Sequence, residues 1–467
     1  MRTNPINLLL LFLLLATAAS GQQPQKKNSK PPNIVFILAD DLGYFDIGSY
    51  GNPYNKTPNL DRLAKEGMRF SQAYVASPVC SPSRAAILTA KHPARLHLTN
   101  FLVGSRIDST SRILPAPWKP YLSGKEITLA ELLKLQGYRT GIVGKWHLGT
   151  ADSIQATAQG FDYDRVISKN GLDYYNYGIT SNNKLVFEDD GTHYLTDKLT
   201  DYGVEFIQSN KQEPFFLFLT YSAPHVLIVP KAEKLRPYLF SYTDNKGKYN
   251  PYYAAMIESL DDGVGRITET LRMLGLDENT IVIFTSDNGG VGLADLGPRP
   301  TNMEPLRAWK GHVHEGGIRV PLIVKWPGKV EPGVLNENYL TGTDYLPTFM
   351  EILNTKVTHA VDGKSFLKTL LDPKADLKRG AIFWHYPHFS NQEGRPAGAV
   401  RLGDFKLIEN YETGEITLYN LREDISEKVD LSKTLPKKTE ELYALFSEWK
   451  TSTKVNMPVA NPAYMGK

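Results

Sequence analysis

The hydrophobic pattern of this chain consists of short, unbroken apolar runs that stop abruptly at polar residues. "NIVFILADD" (Asn33 to Asp41) and "TIVIFTSDNGG" (Thr280 to Gly290) are apolar and β-branched up to a closing group of carboxylates and amides. Runs of this length, bounded by turn residues, suit strands covered on both faces, as in parallel sheets. "EPFFLFLTYSAPH" and "TGIVGKWH" read the same way. Between the runs, "PNLDRLAKEG", "TLAELLKLQGYRTG" and "YYAAMIESLDDGVGRITETLRMLG" carry helical spacing, the last long and amphipathic. Strand and helix alternate, which predicts an α/β fold with a large, mostly parallel sheet flanked by helices over residues 33–373. After about Pro373 the pattern changes. "AIFWHYPH", "AGAVRLGDFKLIENY" and "GEITLYNL" read as short antiparallel strands, and "TEELYALFSEWK" as a closing helix. A small C-terminal antiparallel-sheet-plus-helix subdomain over 374–467 is expected.

The N-terminus departs from both patterns. Arg2 followed by "LLLLFLLLA" and the small residues "ATAASG" reads as a signal peptide over 1–20, too short in its apolar part to span a bilayer. A polar, Lys-rich linker (21–32) follows. The protein is therefore expected to be exported, without a membrane anchor. A hydrophobic content of 41% is ample for a large core. Net charge is +3 with no basic block, so nothing points to nucleic acid. The one cysteine, Cys80, cannot pair within its own chain, so folding proceeds without disulfides.

Candidate chemistry gathers where the strands end, as open α/β sheets place their ligands. Asp40, Asp41, Asp287 and Asn288 form an oxygen-only set that suits Ca²⁺ or Mg²⁺. Each pair alone also fits turn or helix-cap chemistry, but two such pairs at two buried strand ends point to metal. In "VCSPSRAAILTAK" a helix begins at or just after Cys80, a position that lowers a thiol's pKa and favours anions, with Arg84 one turn on. An inert buried cysteine fits the same composition. "GIVGKWHLG" offers Lys145 and His147, which share a face if the segment is extended and suit an anionic substrate. "YSAPHVLIVP" offers His225, and "RAWKGHVHEGG" offers Lys310.

Taken in order, these clusters resemble the formylglycine-dependent sulfatases of the alkaline phosphatase-like superfamily, and within them the secreted bacterial glycan sulfatases. Cys80-Ser81-Pro82-Ser83-Arg84 fits the C-x-P-x-R signature, "GYRTGIVGKWHLG" the second signature, and "EGGIRVPLIVKWPG" is typical of these enzymes. The resemblance implies a sulfuric ester hydrolase, periplasmic or extracellular, acting on a sulfated sugar or glycan. It implies that a separate maturation enzyme oxidises Cys80 to formylglycine, whose hydrate attacks sulfur. The implied metal ligands are Asp40, Asp41, Asp287, Asn288 and residue 80, with calcium favoured over magnesium. Arg84 and Lys145 would hold the diol and the sulfate. His225, with Lys310, would protonate the leaving alcohol, and His147 would deprotonate the second hydroxyl to expel sulfate. Departures from the family pattern are Ala90 and Phe45 where glycine is usual, Ser49 where cysteine often occurs, and Leu227 where proline often follows the histidine.

For the sugar itself, His385, His388, Asn391 and Arg395 are candidates in the C-terminal stretch, and His97 and Arg106 in "RLHLTNFLVGSR". Packing and loop roles fit these residues equally. Two other functions remain open: hydrolysis of phosphate or phosphonate monoesters by the same superfamily, and glycan binding by a pseudoenzyme. The first calls for a transition metal held by an additional histidine. The second calls for loss of a ligand or the nucleophile, and all are retained.

Overall fold

A computed structural model describes residues 30–102, 104, 110–168, 173–240, 247–293, 299–357 and 359–465. The expected signal peptide, most of the linker and Arg106 lie outside the described residues. Among the described residues no helix is long and apolar enough to cross a membrane.

The strand Asn33–Ala39 runs through the middle of an eleven-stranded sheet. It pairs in parallel with Phe215–Thr220 on one side and Thr280–Ser286 on the other. Its alternate side chains enter two different cores: Ile34, Phe36 and Leu38 face one, Val35, Ile37 and Ala39 the other. That two-sided burial is why the run carries no charge until Asp40. Beyond Phe215–Thr220 the sheet continues through Arg139–Gly144 and Tyr163–Ile167, both parallel, and ends in the antiparallel pair Gly178–Ser181 and Lys184–Glu188. On the other side Arg319–Lys325 and Met68–Tyr74 add antiparallel.

Helices cover both faces. Pro58–Glu66, Leu195–Ser209 and Pro251–Met273 pack into one core, Cys80–Thr89, Leu129–Leu135 and Tyr345–Ile352 into the other. Each apolar run starts and stops close to where the spacing places it, although the first strand ends at Ala39 and leaves both aspartates beyond it. Because the central strands are parallel and nearly in register, Asp40, Lys145 and Asp287 leave the sheet at one common edge.

Four antiparallel strands, Ile382–Tyr386, Ala397–Leu402, Phe405–Asn410 and Ile416–Asn420, form the small second sheet. One face packs Val400, Leu407 and Leu418 against Leu442 and Phe446 of the helix Pro436–Thr453. The other packs Trp384, Ala399 and Ile408 against Tyr74, Val75, Val79 and Ile318. Residues 31–467 form one compact unit.

Candidate functional site

Cys80 is the first residue of the helix Cys80–Thr89, which follows Val79 in extended conformation. The helix is buried along its whole length. Burial pushes the Cys80 thiol up, against the pull of Lys145 and Lys310. The lowered thiol pKa expected from a helix N-terminus is therefore not found, because desolvation outweighs the dipole and the neighbouring cations. Cys80 Sγ lies 3.2 Å from His147 Nδ1.

Lys145 and His147 do not share a strand face as the extended reading expected. The strand stops at Gly144, and His147 takes a left-handed conformation with φ of 56°. The turn separates the two side chains by task. Lys145 Nζ reaches Asp40 Oδ2 at 2.5 Å, whereas His147 turns its Nδ1 to Cys80 and to Ser81 Oγ at 3.0 Å. Ser81 Oγ also accepts a hydrogen bond from Leu102 N, so its own proton is free to point at His147. Burial, then the charges of Lys145 and Arg84, hold His147 well below its ordinary value.

Arg84 sits one turn into the helix with a single layer of partners. Its Nε donates to Asp287 Oδ2 at 2.8 Å, Nη2 stands at the same distance from that oxygen, and Nη1 donates to the Lys145 carbonyl at 2.8 Å. Arg84 Nη2 is 3.7 Å from Asp40 Oδ1. Asp41, at φ of 64°, accepts from Asn288 Nδ2 and from Lys310 Nζ, each at 2.7 Å, and has His225 Nε2 at 3.5 Å. The two left-handed residues, Asp41 and His147, store backbone strain at the point where the chain turns its polar groups inward.

The electrostatics follow from burying three carboxylates among cations. Burial alone would raise Asp40, yet Lys145, His225, Arg84 and Lys310 together hold it well below the carboxylate range. Asp287 moves the other way, to about 7, through burial and then the charge of Asp40, despite Arg84. Burial lowers Lys310, but Asp41 more than reverses this and holds it protonated. Burial and then the Lys310 charge bring His225 down to about 4.

The donor set fits a hard divalent cation. Asp40, Asp41 and His225 each bring a ligand atom within 4.8 Å of one another. Asp40 Oδ1 and Asn288 Oδ1 are buried without a hydrogen-bond partner. The amide of Asn288 is oriented by its neighbours, because Nδ2 faces the Asp41 carboxylate and the Gly289 carbonyl, which leaves Oδ1 as the free end. A cation shared by these oxygens would also ease the upward pressure on Asp287.

The sugar candidates are scattered. His385 is 2% exposed, and both ring nitrogens have protein partners, Tyr411 Oη at 2.7 Å and the Asn456 carbonyl at 3.0 Å. His388 is 1% exposed, bonded through Nε2 to Thr99 Oγ1 at 2.8 Å. His97 is half-buried, its Nδ1 3.3 Å from Asn456 Nδ2. Asn391 is exposed on a loop, and Arg395, also exposed, stands 3.5 Å from Glu412.

Sequence reasoning passed over Gln392, between the last two. Its side chain is buried and clamps the loop after Asn288: Oε1 accepts from Gly292 N and Leu293 N, Nε2 donates to the Leu293 carbonyl, and its own carbonyl accepts from Trp309 Nε1. It thereby ties the loop of Asn288 to the segment of Lys310. Ser81 was also missed. No local signal marks either, since a buried amide or hydroxyl looks like any loop residue until its tertiary partners are known.

Comparison with known proteins points to one family. The sulfatase family profile matches residues 32–355, and the profile described as N-sulphoglucosamine sulphohydrolase, C-terminal, matches residues 308–451. A sulfatase of Formosa agariphila is 32% identical over 86% of this chain and 85% of its own length. The N-acetylgalactosamine-6-sulfatase of Mus musculus is 33% identical over 81% of this chain and 72% of its own. Among solved structures, Ps i-CgsB in complex with k-i-k-neocarrahexaose superposes with a TM-score of 0.76 at 31% identity, covering 90% of this chain and 93% of that one.

Proposed function

This chain belongs to the sulfatase family and is a sulfuric ester hydrolase, and we propose that it removes sulfate from a sulfated carbohydrate by a formylglycine mechanism at residue 80. The observation that carries the reading is that Cys80 meets His147 at 3.2 Å within electrostatic reach of Arg84, Lys145, Asp40 and Asp287, a cluster that Asp41 and Asn288 extend from the same strand ends. Oxidised by a maturation enzyme and hydrated, residue 80 would supply a geminal diol, one hydroxyl to attack sulfur and a second whose deprotonation releases sulfate. A divalent cation, calcium on this donor set, would be held by Asp40, Asp41, Asp287 and Asn288 and would draw charge from the sulfuryl oxygens.

The remaining work falls to the side chains. Arg84, fixed on Asp287 and the Lys145 carbonyl, presents a preset cation beside residue 80. Lys145, paired with Asp40 and within electrostatic reach of residue 80, neutralises the incoming anion. His147 points a ring nitrogen at residue 80 and takes its proton, and Ser81 orients that ring. Lys310 and His225 both face Asp41 and protonate the departing alcohol, Lys310 being the one held charged. Export through the N-terminal segment fits a polymeric substrate met outside the cell.

His225 near Asp41 favours a second reading, since an additional histidine ligand suits the phosphorus-cleaving members of the superfamily. Release of sulfate and of phosphate separates the two. Matured protein is incubated with neocarrahexaose, N-acetylgalactosamine 6-sulfate oligosaccharides and the phosphate esters of the same sugars, and the anions are measured by ion chromatography. Sulfate as the dominant product is expected. Faster phosphate release, or no anion from any sugar, overturns the proposal.

A further inference from the structure

A cavity of about 270 Å³ lies between the residues that precede the helix Pro251–Met273 and the segment that leads into Lys310. Its walls include Lys248, Arg299, Asn302, Glu304 and Trp309. Ordinary ligand pockets begin at roughly 300 Å³. The space therefore suits one substituted sugar ring better than a larger ligand.

Its position follows from the topology. The helix Pro251–Met273 connects Phe215–Thr220 to Thr280–Ser286, two strands that run in the same direction within one sheet. It must return antiparallel to them, so its first turn, and with it Lys248, stands at the strand ends that carry Asp40 and Asp287. Trp309 is the chain neighbour of Lys310, whose Nζ is 2.7 Å from Asp41 Oδ2. The cavity therefore lies at the same end of the sheet as Asp40 and Asp287, and its wall residue Trp309 is the chain neighbour of Lys310.

Its walls are fixed before any ligand arrives. The Trp309 indole donates to the Gln392 carbonyl at 2.9 Å and lies so closely on Gly292 that a Cβ there would meet the ring at 2.0 Å. Thr301, in the cavity wall, bonds both carboxylate oxygens of Asp46 at 2.9 Å. Arg299 spreads its guanidinium over the Trp309 ring, 4.1 Å from the centroid. No carboxylate among the described residues pairs with Arg299. A guanidinium held over an indole and without a carboxylate partner retains N–H donors, and an Arg fork receives a sulfate or carboxylate in bidentate fashion. Lys248 adds a second cation; among the described residues its acid partner is Glu304, 4.0 Å away, and both are largely exposed, so that pairing holds it weakly.

We propose that Arg299, Lys248 and Trp309 form an anion-reading subsite that takes a second sulfate or carboxylate carried by the same oligosaccharide, beside the ester being cleaved. This rests on the sulfated-carbohydrate reading above and narrows it to multiply charged glycans. Arg299 supplies the fork, Lys248 a flexible point charge, and Trp309, held between Gly292 and Arg299, the rigid support on which the guanidinium rests.

The test compares three substrates with the matured enzyme: a small aryl sulfate, a singly sulfated oligosaccharide, and the same oligosaccharide with a second sulfate on the adjoining sugar. Arg299→Ala and Lys248→Ala should each lower kcat/KM on the doubly sulfated substrate roughly tenfold, through KM. Both variants should keep wild-type rates on the other two substrates, and Arg299→Lys should recover part of the loss. Equal losses on all three substrates would mean a structural role and would overturn the subsite. Unchanged kinetics on the doubly sulfated substrate would overturn it as well. Absence of sulfate release from every substrate by the wild-type enzyme would remove the underlying function, an outcome distinct from either.

Discussion

Two clusters of charge are buried in this protein, made of the same kinds of residue and put to different uses. At the strand ends, Asp40, Asp41 and Asp287 face Arg84, Lys145 and Lys310. Under the second sheet, Glu315 and Glu427 face Lys406, with Arg319 and Tyr74 alongside. In this seam every carboxylate oxygen of the two glutamates has a donor or cation within 2.9 Å: Lys406 and Tyr74 on Glu315, Lys406 and the Glu315 amide on Glu427. At the strand ends Asp40 Oδ1, 3.7 Å from Arg84 Nη2, and Asn288 Oδ1 have no hydrogen-bond partner among the described residues. A closed cluster joins two sheets, whereas one with oxygens left over can bind something. Burial of charge does not separate a structural site from a functional one, and neither does an unmade hydrogen bond alone, since Glu427 Oε1 also lacks one; the difference is that Glu427 Oε1 has the Lys406 ammonium at 2.9 Å.

The comparison can be broken from either side. Replacing Cys80 by Ala should drop sulfate release by more than about 10³-fold, since the nucleophile is lost, while the denaturant midpoint stays near wild type. Lys406→Met should do the reverse. It strands two buried carboxylates and should cost about 3–5 kcal/mol of stability in denaturant titration, with the folded fraction still turning over.

Calcium distinguishes the clusters next. At a hundredfold excess over its Kd it should add about 2.7 kcal/mol to wild type in a thermal-shift series, and a chelator should remove that gain. Asn288→Ala should abolish the shift, and Lys406→Met should preserve it.

Acid should act on the second sheet through its buried histidines, in the same window as through His147 and His225 at the strand ends. Burial lowers His92 to about 4 and His385 and His388 to about 3, against an ordinary 6.5. The unfolded chain binds these protons near pH 6.5 and the folded chain does not. The histidine contribution is thus intact above 6.5 and falls as pH drops toward 3–4, by roughly 1.4 kcal/mol per pH unit for each ring. Denaturant midpoints across that range measure it, and His385→Gln should make the slope shallower. The smallest effect is expected at Ala90, left-handed at φ of 55° as the C-cap of the motif helix. Ala90→Gly should stabilise by about 0.5–1 kcal/mol without changing the rate.

The strands and the oxygen quartet were legible in the sequence because both are local signals: an apolar run covered on two faces, and a carboxylate where it stops. The Cys80 helix was legible too, but its environment was not, since the desolvation that raises the thiol comes from the surrounding fold. His385 looked like a sugar ligand because a polar residue beside a loop invites that reading. In the fold both its nitrogens are spent on Tyr411 and Asn456. The seam itself was not legible in the sequence, although Glu315 and Arg319 lie in the quoted stretch "EGGIRVPLIVKWPG". Glu315, Lys406 and Glu427 lie far apart in the chain, and nothing local distinguishes a glutamate that will be buried from one that will not.

The most direct test of the account is the mass of the tryptic peptide Phe70–Arg84, "FSQAYVASPVCSPSR", from protein produced by its own host. Replacement of the Cys80 sulfur by a carbonyl oxygen is the predicted result and would place the formylglycine nucleophile where His147, Arg84 and Lys145 converge. An intact thiol at residue 80 in protein that releases sulfate would contradict it.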